Sequence, residues 1–133
     1  VSFMSELRRA LLPDGVVLIK VPNDWNRLQL LFRKGRLAWW VAPPWHVNYF
    51  DFDSLSGMLT RCGFREVSRL GTFPMEIFLM VWDYIGHPEV GRRCHERRMK
   101  AELMASRDLR LAFYRNLAKK GLGREAIILA VKE

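Results

Sequence analysis

The chain has 133 residues, half of them hydrophobic, and its 22 lysines and arginines exceed its 14 aspartates and glutamates, giving a net charge of +8. This length suits one domain with a single core, and this composition excludes an intrinsically disordered chain. Apolar runs such as Ile77 to Val81 are far shorter than the ~20 residues that span a bilayer, so we expect no membrane span. With two cysteines and no secretory signal, the sequence predicts reduced thiols and a cytoplasmic location.

The first residues predict a helix, a turn and a buried strand. Apolar residues recur at helical spacing across residues 3–12, and Pro13-Asp14-Gly15 then supplies the residue types of a tight turn. The stretch VVLIKV at 16–21 is apolar on both faces. This pattern indicates a strand that is covered on both sides and lies in the middle of a sheet. Pro22 ends the strand because proline has no amide hydrogen to donate.

Residues 23–50 are less regular. NRLQLLFRKG predicts a short helix, and RLAWWVAPPWHVNYF predicts a loop with at most one short strand. Asp51 or Asp53 can cap the helix that follows, and Gly63 suits the left-handed position after that helix. FREVSRL at 64–70 predicts a second strand.

Three helices are predicted before the last strand. The first starts at Pro74 and continues to about residue 85, apolar on most faces. The second starts at Pro88, and the third spans 108–120 with a predicted inner face of Leu109, Ala112, Phe113 and Leu117. EAIILAVK at 125–132 is the final predicted strand. The order of elements is that of an α/β fold with about three strands, too few to bury a sheet on both faces, so we expect a fragment or a chain completed by a partner.

Three stretches resemble a known family. LLPDGVVLIKVPN resembles the segment before and through the fifth strand of class I S-adenosylmethionine-dependent methyltransferases, although Asp14 replaces the first glycine of the family's Leu-x-Pro-Gly-Gly. HVNYFDFDSLSGMLTRCGFREVSRL resembles the capped helix and sixth strand that follow. GREAIILAVK is similar to the family's final strand, which inserts antiparallel between the fifth and the sixth.

The resemblance implies a fold, a domain organisation and a cofactor. Residues 1–133 would be the C-terminal half of a Rossmann-like methyltransferase domain, with 74–123 as a helical insertion. In that fold the cofactor binds a glycine-rich loop after the first strand and an acidic residue after the second. The only Gly-x-Gly here, Gly121-Leu122-Gly123, precedes a strand and is therefore predicted to stop a helix. We expect S-adenosylmethionine to bind a full-length parent and not this chain alone.

Five residues are candidates for substrate binding. Asn23 and Trp25 follow the first strand, at the end where ligands bind in open α/β sheets. His46, Asn48 and Tyr49 lie in RLAWWVAPPWHVNYF at 36–50, which we call the aromatic loop. A histidine there could act as a general base near neutral pH. The structural alternatives are a turn for the first pair, and loop ties and helix capping for the others. No catalytic residue is identified.

Two further groups have an ambiguous pattern. Trp39, Trp40 and Trp45 either stack on a planar ligand or pack beneath the loop. His87, Cys94 and His95 do not have the spacing of a structural zinc site, so we predict no metal.

The positive charge is concentrated in one stretch. Residues 92–124 contain 11 basic and 3 acidic residues, an excess that equals the net charge of the whole chain. Arg92, Arg93, Arg97 and Arg98 are candidates for binding an anion, such as a nucleic acid, an acidic substrate or an anionic membrane. The alternative is a solvated helix face.

Two functions are compatible with these patterns. The first is the C-terminal part of an S-adenosylmethionine-dependent methyltransferase, which forms the substrate-side walls for an unidentified methyl acceptor. The second is a non-catalytic basic module that binds nucleic acid or another anionic partner. The apolar strand and the apolar stretch after Pro74 also predict that the isolated chain self-associates, for example as a dimer.

Overall fold

The computed structural model describes residues 2–33, 35 and 37–133. The described elements, in chain order, are α1 (Ser2–Ala10), β1 (Val16–Pro22), α2 (Arg27–Arg33), α3 (Phe52–Arg61), β2 (Phe64–Gly71), a 3-10 helix (Met75–Met80), α4 (Pro88–Met104), α5 (Arg107–Lys119) and β3 (Glu125–Lys132). The architecture is mixed α/β with three strands and several helices, as the sequence predicts.

The three strands form one antiparallel sheet in the order β1-β3-β2. On one side β3 pairs with β1, from Val16 opposite Val131 to Pro22 opposite Glu125, and on the other it pairs with β2. Since β3 is antiparallel to both neighbours, β1 and β2 run in the same direction. The prediction that the last strand lies antiparallel between the other two is confirmed.

The core is built from the strands and from α1, α3 and α5. Burial alternates along β3, where Ala126, Ile128 and Ala130 have no exposed surface and share one face. Leu55 and Leu59 of α3 are also fully buried and lie one helical turn apart. Truncating either leucine to alanine would cost about 2–5 kcal/mol, since each would leave a cavity in this core.

Both ends of α3 follow their sequence signals. Asp51 Oδ1 accepts a hydrogen bond from the Ser54 amide at 2.8 Å, and Ser54 Oγ accepts one from the Asp51 amide at 2.9 Å. This is a reciprocal capping box, and the hydrogen bond from the Ser54 hydroxyl lowers the pKa of Asp51. Gly63 follows the helix at φ 78°, a left-handed conformation that glycine adopts without a steric penalty.

The strand β1 does not lie in the middle of the sheet, and it is not covered on both faces. Within the described residues it pairs on one edge only, with β3. Val17 is buried, whereas Val16 and Leu18 are 55% and 62% exposed. The described residues cover one face of the strand only, so cover on both faces stays a prediction for a longer parent chain or a complex with a partner.

The predicted long helix after Pro74 is also wrong. The chain forms only the short 3-10 helix, after which Asp83 Oδ1 accepts a hydrogen bond from the Ile85 amide at 3.2 Å. This local bond competes with helix formation, and Gly86 in the left-handed region turns the chain toward α4. Among the helices of the described residues, none has the length and apolar composition needed to cross a bilayer.

The described part of the aromatic loop, residues 37–50, contains no strand and agrees with the predicted loop, since its two consecutive prolines cannot donate to a ladder.

One smaller prediction needs correction. In α5 the inner face is formed by Leu117 and Ala118, while Leu109 is exposed, because the helix meets β2 at Gly71 through its C-terminal end.

Two glycines allow β2 and the segment before β3 to touch. A Cβ on Gly71 would lie 2.2 Å from the Leu122 carbonyl oxygen, and a Cβ on Gly123 would lie 2.8 Å from the Gly71 Cα. The Leu122 amide donates to the Leu117 carbonyl at the end of α5. Gly121-Leu122-Gly123 therefore stops a helix and leads into β3, as predicted.

Candidate functional site

A pocket of about 690 Å³ lies where β1 and β2 end. We call it the strand-end pocket. Its walls come from the loop after β1, from α2, from the aromatic loop, from the 3-10 helix and from α4, and Arg124 and Glu125 at the start of β3 complete them. The carboxyl ends of strands are where open α/β sheets bind ligands, because loops from several strands converge there.

Four polar side chains at this pocket are almost completely buried. Asp24, Gln29, Trp40 and Glu76 are between 3% and 8% exposed. Gln29 donates a side-chain hydrogen bond to Glu76. Even so, Gln29 Oε1, Trp40 Nε1 and Glu76 Oε2 have no hydrogen-bond partner among the described residues. An unpaired buried polar group costs about 1–3 kcal/mol, so the three beside this pocket require a partner, either water or a bound molecule.

Two carboxyl groups at the pocket, those of Glu76 and Asp24, have raised pKa values. Burial raises the pKa of Glu76, and the nearby Asp24 charge raises it further, whereas Gln29 and Arg124 act in the opposite direction. Burial also raises the pKa of Asp24, against an opposing effect of His46. Carboxyl groups with raised pKa values that face one pocket are typical of functional sites.

The loop after β1 holds Asp24 and Gln29 in place. Asn26 caps α2, because its Oδ1 accepts from the Gln29 amide at 3.1 Å while its side-chain amide donates to the Asn23 carbonyl at 2.8 Å. The Asp24 amide donates to the Phe50 carbonyl at 2.8 Å, which joins this loop to the end of the aromatic loop. The pocket wall is therefore fixed by backbone and capping hydrogen bonds.

The first two predicted substrate residues do not line the strand-end pocket. Asn23 is fully buried, and its side-chain amide donates to the carbonyls of Gly121 and Gly123 at 3.1 and 3.0 Å. Trp25 packs edge-to-face on Trp40, with ring centroids 5.3 Å apart. These contacts favour the structural alternative for both residues.

The three predicted loop residues are separated in the structure. The Tyr49 hydroxyl donates to the His46 carbonyl at 2.9 Å and accepts from the Ala42 amide at 3.2 Å, so Tyr49 ties the loop together. The His46 side chain lines the strand-end pocket. Asn48 is exposed and lies outside the pocket lining. Of the five predicted substrate residues, the structure brings His46 alone to the pocket.

The four predicted anion-binding arginines have different surroundings. Arg92 lines the strand-end pocket and pairs with Glu89 in an exposed salt bridge. Arg98 pairs with Glu102 at 2.7 Å with both side chains largely buried, and the Arg97 guanidinium lies 4.7 Å from the centre of the Trp82 ring. Arg93 is exposed. Arg93 and Arg97 line one small pocket together, whereas Arg92 lines the strand-end pocket, so the four arginines do not share one site.

Sequence reasoning missed Gln29 and Glu76 as site residues. Glu76 is the one charged residue in the apolar stretch PMEIFLM, and Gln29 interrupts the apolar stretch LQLLF. A polar residue within an apolar segment is a signal for a buried polar group. Both stretches carry this signal, but the apolar stretch around Glu76 also predicts one long helix.

The loops after β1 and β2 begin Asn23-Asp24 and Thr72-Phe73 and contain no glycine. The carbonyls of Gly121 and Gly123 already accept from Asn23. Across residues 2–33, 35 and 37–133 no group of three or more potential ligands could hold a metal ion.

In comparisons with known proteins, the chain matched no family model, no curated protein and no solved structure.

Proposed function

We propose that the chain is the C-terminal part of a class I S-adenosylmethionine-dependent methyltransferase and that the strand-end pocket forms the acceptor side of its active site. The observation that carries the proposal is the strand order, with β3 antiparallel between two strands of the same direction. This is the arrangement that the resemblance implies for the fifth, sixth and final strands. Residues 74–123 would then be a helical insertion that closes the pocket with Glu76 and Arg92.

The exposed surface of β1 supports the proposal. Native sheets protect a long edge strand with apolar side chains by pairing it or covering it. In a Rossmann-like parent, the fourth strand would pair with the outer edge of β1, and helices would cover Val16 and Leu18. The glycine-rich cofactor loop would then come from that upstream part of the sheet.

The chemistry of the pocket suits a substrate wall. Glu76 has a raised pKa and an oxygen without a partner, which are properties of a general base. Trp39 and Trp40 provide an apolar side. The contribution of this chain would be to orient the acceptor and exclude water from it.

The alternative function, a basic module that binds nucleic acid, has less support. Arg97 and Arg98 make intramolecular contacts with Trp82 and Glu102. A nucleic-acid surface needs several cations free to contact successive phosphates. Retention of the chain on DNA at physiological salt would favour this alternative.

The coding sequence upstream of Val1 tests the proposal most cheaply. We expect it to encode alternating strands and helices in the same frame, with a glycine-rich loop directly after the first strand. An upstream sequence that encodes no such strand and loop would overturn the methyltransferase assignment.

A further inference from the structure

The atoms at the strand-end pocket define what it can bind. Gln29 Oε1 accepts hydrogen bonds only, and Glu76 Oε2 accepts when its carboxyl group is ionised. The Asp24 carboxyl is close enough to Glu76 for its charge to act there. Two unpaired acceptors and two carboxyl groups therefore belong to the walls of the same cavity, and this combination calls for a ligand with several N–H donors and a positive charge. The third unpaired atom, Trp40 Nε1, is a donor, so an ammonium ion leaves it to a water molecule.

The aromatic wall fits the same ligand. Trp39 and Trp40 pack edge-to-face with centroids 4.8 Å apart and both line the pocket. Indole rings attract cations through their negative faces, more strongly than other aromatic side chains. They also offer apolar surface to a hydrocarbon body.

Other ligand classes fit less well. An anion would meet the two carboxyl groups, and a neutral alcohol has one hydrogen to share between two acceptors. The described residues provide no cluster of three metal ligands. The basic residues Arg92 and Arg124 also line the pocket and are exposed. The Arg124 charge acts on Glu76 more strongly than the Asp24 charge does, and solvent and salt weaken its repulsion of a cation.

We propose that the strand-end pocket binds a small organic primary amine as its ammonium ion. Its N–H groups donate to Gln29 Oε1 and Glu76 Oε2, and its hydrocarbon body lies against Trp39 and Trp40. The role of the amine as methyl acceptor rests on the proposed function. Binding of the amine does not rest on it, since binding requires no methyl donor.

Titration with benzylamine, which is protonated at neutral pH, tests this inference on the 133-residue chain without any methyl donor. Benzyl alcohol is the matched neutral probe. The readout is the Trp40 indole N–H resonance in proton–nitrogen correlation spectra, assigned with Trp40→Phe. We expect a saturable shift with benzylamine and an affinity about tenfold or more above that for benzyl alcohol, as expected for one charge-assisted hydrogen bond.

Two variants locate the binding. Glu76→Gln keeps the side-chain shape and removes the charge, so it should weaken benzylamine binding by about tenfold and leave benzyl alcohol unchanged. Gln29→Met removes the second acceptor and should also weaken benzylamine binding. Glu96→Gln, on the exposed side of α4, is the matched control and should have no effect.

Three results would overturn the amine site. The first is that benzylamine causes no saturable shift of the Trp40 resonance. The second is that benzylamine and benzyl alcohol bind with equal affinity. The third is that both pocket variants bind benzylamine as tightly as the wild type does. None of them bears on the methyltransferase assignment, which the upstream coding sequence tests separately.

Discussion

A single buried amide, that of Asn23, fixes the connection between α5 and β3. It donates to two carbonyls, of Gly121 and Gly123, which lose these partners if the side chain is removed. We predict that Asn23→Ala lowers the free energy of unfolding by about 1–3 kcal/mol, measured by urea denaturation. Asn116→Ala is the control, because Asn116 also donates to a carbonyl but is exposed, and it should cost less than about 0.5 kcal/mol. Equal losses would contradict the structural role of Asn23.

Glu76 makes stability depend on pH in a defined direction. Its pKa in the folded chain is raised above the ordinary value of about 4.3. The folded state therefore holds this proton more tightly than the unfolded state does. The resulting stabilisation is fully present below the unfolded pKa and is lost as pH rises through the folded pKa.

We predict that Glu76→Gln is more stable relative to the wild type at neutral pH than in mild acid, since glutamine does not ionise. Urea denaturation across this pH range measures the difference. Glu96→Gln removes an exposed carboxylate and should show no such trend. A Glu76→Gln effect that is independent of pH would contradict the burial of an ionisable group at this position.

Which polar residues are buried could be predicted only in part. Asn23 follows an apolar strand, and the sequence alone cannot show that two carbonyls 98 and 100 residues later in the chain accept its amide protons. His46 is a candidate because of its chemistry and its loop, and the structure places it in the lining of the strand-end pocket. Gln29 and Glu76 meet across the pocket from separate elements, and residue type alone cannot predict this meeting.

At the scale of elements, the aromatic loop is held by Tyr49 and not by the His46 side chain. Tyr49→Phe removes a hydroxyl that makes two hydrogen bonds, so we predict a loss of about 1 kcal/mol in unfolding free energy. His46→Ala keeps the backbone carbonyl that Tyr49 uses and should change stability by less than about 0.5 kcal/mol. Thermal unfolding midpoints of both variants check this order, and a larger loss for His46→Ala would reverse it.

Element boundaries were predictable where the sequence carries local stop and start signals. Asp51 with Ser54, Gly63 and Pro88 each mark a helix end, and each helix begins or ends there. The failure at residues 75–85 arose because apolar composition does not distinguish a long helix from a short 3-10 helix followed by turns. In the structure the 3-10 helix ends at Met80, and a turn follows in which Asp83 Oδ1 accepts from the Ile85 amide.

At the scale of the whole molecule, the uncovered face of β1 predicts self-association of the isolated chain. Leu18 and Val16 expose apolar surface next to a strand edge without a pairing partner in the described residues. We predict that Leu18→Lys shifts the chain toward the monomer in sedimentation velocity, because a charge on this face opposes pairing. Leu103→Lys changes an equally exposed leucine on α4 and should leave the distribution unchanged. A wild-type chain that stays monomeric at high concentration would contradict this prediction.

The strand order was predictable only through the resemblance. Periodicity identifies strands at 16–21, 64–70 and 125–132, but it does not say which of them is central. The described residues cover β1 on one face only, because an apolar pattern records the partners a strand requires, whereas burial depends on the atoms present around it.

Calorimetric titration with S-adenosylmethionine, into the 133-residue chain and into the full protein encoded by its reading frame, tests the central proposal most directly. We predict micromolar binding by the full protein and no measurable binding by the chain, since the described residues lack a glycine-rich loop after a strand. Micromolar binding by the chain alone, or no binding by either protein, would contradict the proposal.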